Sequence, residues 1–136
     1  MPRYTALLDG KAGSYGVMFP ELDGCGAMGA TVEEALINAA EALRDWIEVA
    51  QEAGEEVPVP EPLERLRRRR DIAKALAEGA VLASVPFVRE TGKPIKANLS
   101  LDSGILAAID EEAARRKLTR SAFVELLARE LLPKVA

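Results

Sequence analysis

The chain has 136 residues, about half apolar (49%) but only 4% aromatic, with a formal net charge of −4. That suits one medium domain or two small ones with an aliphatic core. One cysteine, Cys25, and no histidine exclude an intrachain disulfide framework and remove the usual general base, the Cys-His and Ser-His nucleophile systems and most zinc sites.

The opening MPRYTALLDG lacks a basic region followed by a long apolar run, and no stretch reaches the roughly 18 apolar residues of a membrane span. The expectation is a cytoplasmic protein that is not an enzyme and needs no cofactor or metal. Charge is divided along the chain. Residues 1–62 carry three basic against twelve acidic side chains, a balance of −9, and residues 93–136 carry eight against six, a balance of +2. The two ends therefore favour different partners.

RYTALLDG and SYGVMF predict strands over Arg3–Asp9 and Ser14–Phe19, joined by a Gly-bearing hairpin turn. PELDGCGAMGAT breaks the pattern, with a short third strand expected around Ala27–Ala30. TVEE is a capping box: the Thr31 hydroxyl can accept from the Glu34 amide at the start of a helix. Val32, Leu36, Ala39, Leu43, Ile47 and Ala50 recur in steps of four and three and predict one buried stripe, with Gly54 as the stop. VPVPEP is a stiff extended connector. Pro62 opens a second helix, with Leu63, Leu66, Ala73 and Leu76 inward and Gly79 at its end. AVLASVPFV, residues 80–88, predicts a strand buried on both faces or at a sheet edge. RETGKP is the expected domain boundary, dividing the chain into 1–90 and 91–136.

The last forty residues pose a sharper problem. In IKANLSLD, Ile95, Ala97, Leu99 and Leu101 alternate with Lys96, Asn98 and Ser100, the period of a half-buried strand. Two helices follow, one capped by Asp102 or Ser103 and one by Thr119. A strand and two short helices cannot bury their apolar faces alone, and a lone strand leaves half its backbone polar groups without partners. Two copies remove both difficulties by pairing the strands antiparallel across a two-fold axis. Lys96, Asn98 and Ser100 then line the outer face of a two-stranded ribbon, which fits the major groove of B-DNA. Thr119, Arg120 and Ser121 begin the second helix, where free amides and a guanidinium can hold a phosphate.

The tail KPIKANLSLDSGILAAIDEEAARRKLTRSAFVELLARELL resembles a ribbon-helix-helix DNA-binding and dimerisation domain. The front half, through YTALLDG, YGVMFPELDGCGAMGATVEEAL and EVPVPEP, resembles the HicB antitoxin family. The resemblance covers nearly the whole chain. It implies an α+β protein with a small, partial ribonuclease H-like N-terminal domain, an antiparallel sheet with helices, followed by the ribbon-helix-helix domain. It implies that the first domain neutralises a HicA-type, mRNA-cleaving toxin, with Asp9, Glu21 and Asp23 as candidate contacts. It also implies that the second represses its own operon by binding operator DNA as a homodimer, or as a tetramer if the first domains also associate. The −9 balance suits a basic, RNA-binding partner. Ser100 is shorter than the arginine of some ribbon readers, so base readout there is expected to be weak or water-mediated.

Two other readings are open to the same residues. A metal-dependent nuclease needs several converging carboxylates, and no acid lies within Ser14–Phe19 or Ala80–Val88. A stand-alone ribbon-helix-helix regulator with a ligand-sensing front domain would use DGCGAMG, which lacks phosphate-loop spacing. The run Arg65, Arg67–Arg70 goes all round a helix and reads as a solvated face before a nucleic-acid patch. Cys25 reads as a small buried residue, and Trp46, off the main stripe, as packing or a subunit contact.

Overall fold

In the computed structural model, which describes residues 1–134, strands β1 (Arg3–Lys11), β2 (Ser14–Met18), β3 (Gly26–Gly29) and β4 (Val81–Pro86) form one antiparallel sheet in the order β3-β2-β1-β4. The period-two pattern of β1 decides how both faces are used. Tyr4, Ala6 and Leu8 turn toward helix α1 (Val32–Glu52), and Leu7 turns to the opposite face, against Ile72 and Ala80. β1 runs two residues beyond the expected Asp9, and its pairing carries through to Lys11 opposite Ser14. Gly10 permits this tight return, since a Cβ there would sit 2.2 Å from the Ser14 carbonyl oxygen. β2 stops one residue short of Phe19, whose amide leaves the ladder to bond the Cys25 carbonyl.

α1 starts as its capping box requires, with the Thr31 hydroxyl accepting from the Glu34 amide at 3.1 Å. The residues facing the sheet are Ala35, Ala39, Ala40, Leu43, Ile47 and Ala50, while Val32 and Leu36 lie on the half-buried flank. Small residues at the front of this stripe let the helix approach β3 closely, so that a Cβ on Gly29 would fall 2.4 Å from the Ala35 amide nitrogen. The helix closes with Gly54 at φ 73°, the Glu55 amide on the Ala50 carbonyl and the Gly54 amide on that of Gln51, the paired bonds of a Schellman turn.

The helix expected from Pro62 to Gly79 is two helices, α2 (Leu63–Leu66) and α3 (Arg70–Ala77). Leu66 and Ile72 are both buried, yet six residues apart on one straight helix they would point to different sides. The interruption at Arg67–Arg69 separates the two helices, and both residues are buried. It is fastened by the Arg69 guanidinium, which donates to both carboxylate oxygens of Asp71. The arginine run therefore spans the break between two helices and does not go round one. β4 takes the sheet edge beside β1 and ends on Pro86, where a missing donor is tolerated.

Residues divide into two compact units, Met1–Arg89 and Glu90–Leu132. The second contains α4 (Ser103–Arg115) and α5 (Arg120–Leu131). Both starts are capped by side chains, Asp102 accepting from Gly104 and Ile105, and Thr119 from Ala122. The turn between them places Lys117 at φ 58°, and Leu118 returns its amide to the Ala113 carbonyl. Residues 87–102 form neither helix nor strand. Strands are defined by ladders, and a single chain gives Ile95–Leu101 no ladder to join.

Candidate functional site

Two regions gather the residues singled out above. The first is a groove of about 690 Å³ in the first unit, bounded by the β2–β3 loop, the second half of α1 and the connector after it. The loop is shaped by its own backbone. Leu22 donates to Phe19 and Cys25 donates to Leu22, while the buried Phe19 and Leu22 side chains anchor it from below. Trp46 fastens the loop to α1, its indole N–H donating to the Asp23 carbonyl at 2.9 Å. The connector is held from β1, where the Tyr4 hydroxyl donates to the Pro58 carbonyl at 2.9 Å.

Glu21 and Asp23 line this groove, and so do Asp45, Glu55 and Glu56; no basic side chain does. Asp9 does not join them, because it is exposed near the far end of the β1–β2 hairpin, opposite Gly16. Glu21 is the most constrained of these acids. One carboxylate oxygen accepts from the Glu61 amide at 2.9 Å. The other is shut off from solvent with no hydrogen-bond partner, as is one oxygen of Glu61. Burial pushes the Glu21 carboxyl above its ordinary value; the Glu61 amide opposes, the Glu61 carboxylate adds to the rise, and Arg69 opposes. Burial also raises Tyr4, with help from Glu21, and takes the Cys25 thiol to about 11. That thiol is unsuited to nucleophilic work.

Asp45, Trp46, Val49, Glu55 and Glu56 were not marked as site residues from sequence. The signal of the three acids was present but diffuse, off the buried stripe of α1 and in the run just after it, and that of Trp46 and Val49 was only their place off the stripe. The packing of α1 on the loop, through the Trp46–Asp23 bond, and the return of the connector over Tyr4 make them neighbours of the β2–β3 loop.

The second region is the segment before α4 and the start of α5. Lys96, Asn98 and Ser100 are exposed, as are Ile95 (91%) and Leu99 (69%). At α5 the Thr119 hydroxyl is occupied by the Ala122 amide, and Ser121 is exposed. The Arg120 guanidinium lies bidentate on Asp110, at 2.7 and 2.8 Å. That contact holds the Asp110 carboxyl below the usual carboxylate range. A phosphate at this helix start would compete with Asp110 for Arg120. Among the described residues no cluster of three or more acids or cysteines is placed to hold a metal ion, and no helix is long and apolar enough to cross a membrane.

Residues 4–128 match the family described as HicB-like antitoxin of bacterial toxin-antitoxin system. The crystal structure of the Burkholderia pseudomallei antitoxin HicB is similar over 97% of this chain and 99% of that one, at 31% identity and a TM-score of 0.56. A structure of a HicA3 and HicB3 toxin-antitoxin complex contains a chain similar over 64% of this chain and 99% of its own, at 25% identity and a TM-score of 0.54. An uncharacterized 14.9 kDa protein of Haemophilus phage HP1 is 28% identical over 127 residues, 92% of this chain and 93% of that protein.

Proposed function

The chain belongs to the HicB-like antitoxin family of bacterial toxin-antitoxin systems, and from that premise we propose that it blocks a HicA-type, RNA-cleaving toxin with its first unit and represses its own operon with its second. The first unit is read as a partial ribonuclease H-like fold without catalytic work to do, and the second as one half of a ribbon-helix-helix dimer. The protein acts in the cytoplasm, where both the transcript and the operator are found.

The observation that carries the DNA-binding reading is the unfinished core of the second unit. Among the described residues of Glu90–Leu132 only Ala113 and Phe123 are buried hydrophobics, while Ile95, Leu99, Leu101, Ile105 and Leu131 are exposed. So much unspent apolar surface on so small a unit calls for a second copy. Antiparallel pairing of Ile95–Leu101 across a two-fold axis covers these residues and presents Lys96, Asn98 and Ser100 from both chains to a major groove. Thr119, Arg120 and Ser121 then fix the register on phosphates. The toxin reading is supported by the acidic balance of the first 62 residues and by the complex that one relative forms with its toxin. Asp9, Glu21 and Asp23 are proposed as contacts.

The test is co-expression with the product of the neighbouring reading frame, read as growth rescue and co-purification, together with a gel shift on the DNA upstream of the two. Rescue without a DNA shift would refute the repressor half. A shift without rescue would favour a regulator that senses some other ligand.

A further inference from the structure

We propose that the groove between the β2–β3 loop and α1 is the docking cleft for an extended, basic segment of the toxin partner, with one apolar side chain seated between cationic ones. This rests on the antitoxin reading and assigns it a surface.

The groove has an apolar floor and an acidic rim. Val49 lies within it at 64% exposure, on the flank of α1 turned away from the buried Ile47 and Ala50. A large aliphatic residue left bare inside a concavity is an anchor site that its own chain does not fill. Trp46 supplies a rigid wall. Its ring packs on the core and its N–H is already committed to the Asp23 carbonyl, so little order remains to be imposed when a ligand stacks against it. The rim selects the partner. Asp23, Asp45, Glu55 and Glu56 surround the floor and no lysine or arginine lies among them. Their summed field disfavours an acidic or nucleic-acid occupant and favours lysine or arginine side chains. A protein that handles RNA offers such residues in number, and their engagement in the groove would withdraw them from RNA.

The connector makes the cleft a built feature. Tyr4 and Glu21 tie Pro58 and Glu61 back to the sheet and loop, so the Glu55–Glu56 wall is held opposite Asp45 without a partner present. Docking then demands little rearrangement, the condition for a tight and slowly dissociating complex.

The experiment compares two charge-matched variants of the full chain by calorimetric titration with the co-encoded toxin, rendered inactive. Asp45→Lys with Glu56→Lys cancels the charge of the four-acid rim, leaving two acids against two lysines. Glu41→Lys with Glu48→Lys makes the same change in net charge on α1 residues outside the groove. The rim variant is expected to bind at least ~100-fold more weakly and the control within ~5-fold of the parent. Far-ultraviolet circular dichroism establishes that both are folded, and Val49→Arg gives a second, uncharged-to-charged probe of the floor with the same expected loss. Equal weakening by the two doubles would reduce the effect to net charge and overturn the cleft. An unchanged rim variant, with the parent still binding toxin, would overturn it and leave the antitoxin reading standing. A parent that binds no toxin would overturn both. Self-association of the parent that the rim variant abolishes would assign the groove to a second copy and refute a toxin segment there.

Discussion

Leu99→Ala tests whether the exposed segment before α4 is an interface. Full burial of a leucine side chain is worth about 2 kcal/mol, and Leu99 is 69% exposed in the single chain. About 1.5 kcal/mol per chain is therefore available on pairing, or about 3 kcal/mol for a symmetric dimer. Alanine keeps roughly a third of that, so the variant loses about 2 kcal/mol, a dissociation constant roughly 30-fold higher. Sedimentation velocity over a wide range of loading concentration reads this directly. If the first units also associate, the same loss appears as a tetramer falling to a dimer. Asn98→Ala, on the polar side of the same segment, should leave the assembly unchanged and weaken operator binding. An unshifted assembly curve for Leu99→Ala, or a parent chain that stays monomeric at the highest concentration, would refute the reasoning.

Other consequences follow from individual contacts. Glu21→Gln keeps the acceptor for the Glu61 amide and removes a half-buried charge next to a second carboxylate, so at neutral pH it should stabilise the fold by about 1 kcal/mol in urea unfolding. Because burial raises the Glu21 carboxyl in the folded state, the parent loses stability as pH climbs from the ordinary carboxylate range through that raised value, and the variant should lose that slope; Tyr4, Glu61 and Arg69, which face the same carboxyl, stay in place. A steeper slope in the variant would contradict the assignment. Asp110→Asn releases Arg120 and should strengthen operator binding several-fold while steepening its salt dependence by about one phosphate contact; a fall in affinity would mean that Asp110 positions Arg120 for DNA. With its thiol buried and raised to about 11, Cys25 should resist iodoacetamide in the native protein near neutral pH and react once urea unfolds it, as mass spectrometry would show.

Local features were legible because their causes lie within a few residues of one another. The alternation in RYTALLDG, the Thr31–Glu34 capping box, the Gly54 stop and the caps at Asp102 and Thr119 each appear where the residues place them. The single helix expected from Pro62 onward failed for a reason no local rule contains: Leu66 and Ile72 both had to reach buried positions, and this required a break between them. The groove was equally hidden. It depends on Tyr4 meeting Pro58, Glu21 meeting Glu61, and Trp46 meeting Asp23, pairs separated by 54, 40 and 23 positions.

The amino-acid order by itself determined where the chain turns, caps and alternates, which family it belongs to, and that its last forty residues carry more apolar surface than they can hide. Tertiary structure alone decided which distant acids share a concavity, which half of α1 stays open, and that Arg120 already rests on a carboxylate. Hydrogen-bond periodicity is written at short range along a chain, whereas a cleft exists only once remote segments are packed against a common core.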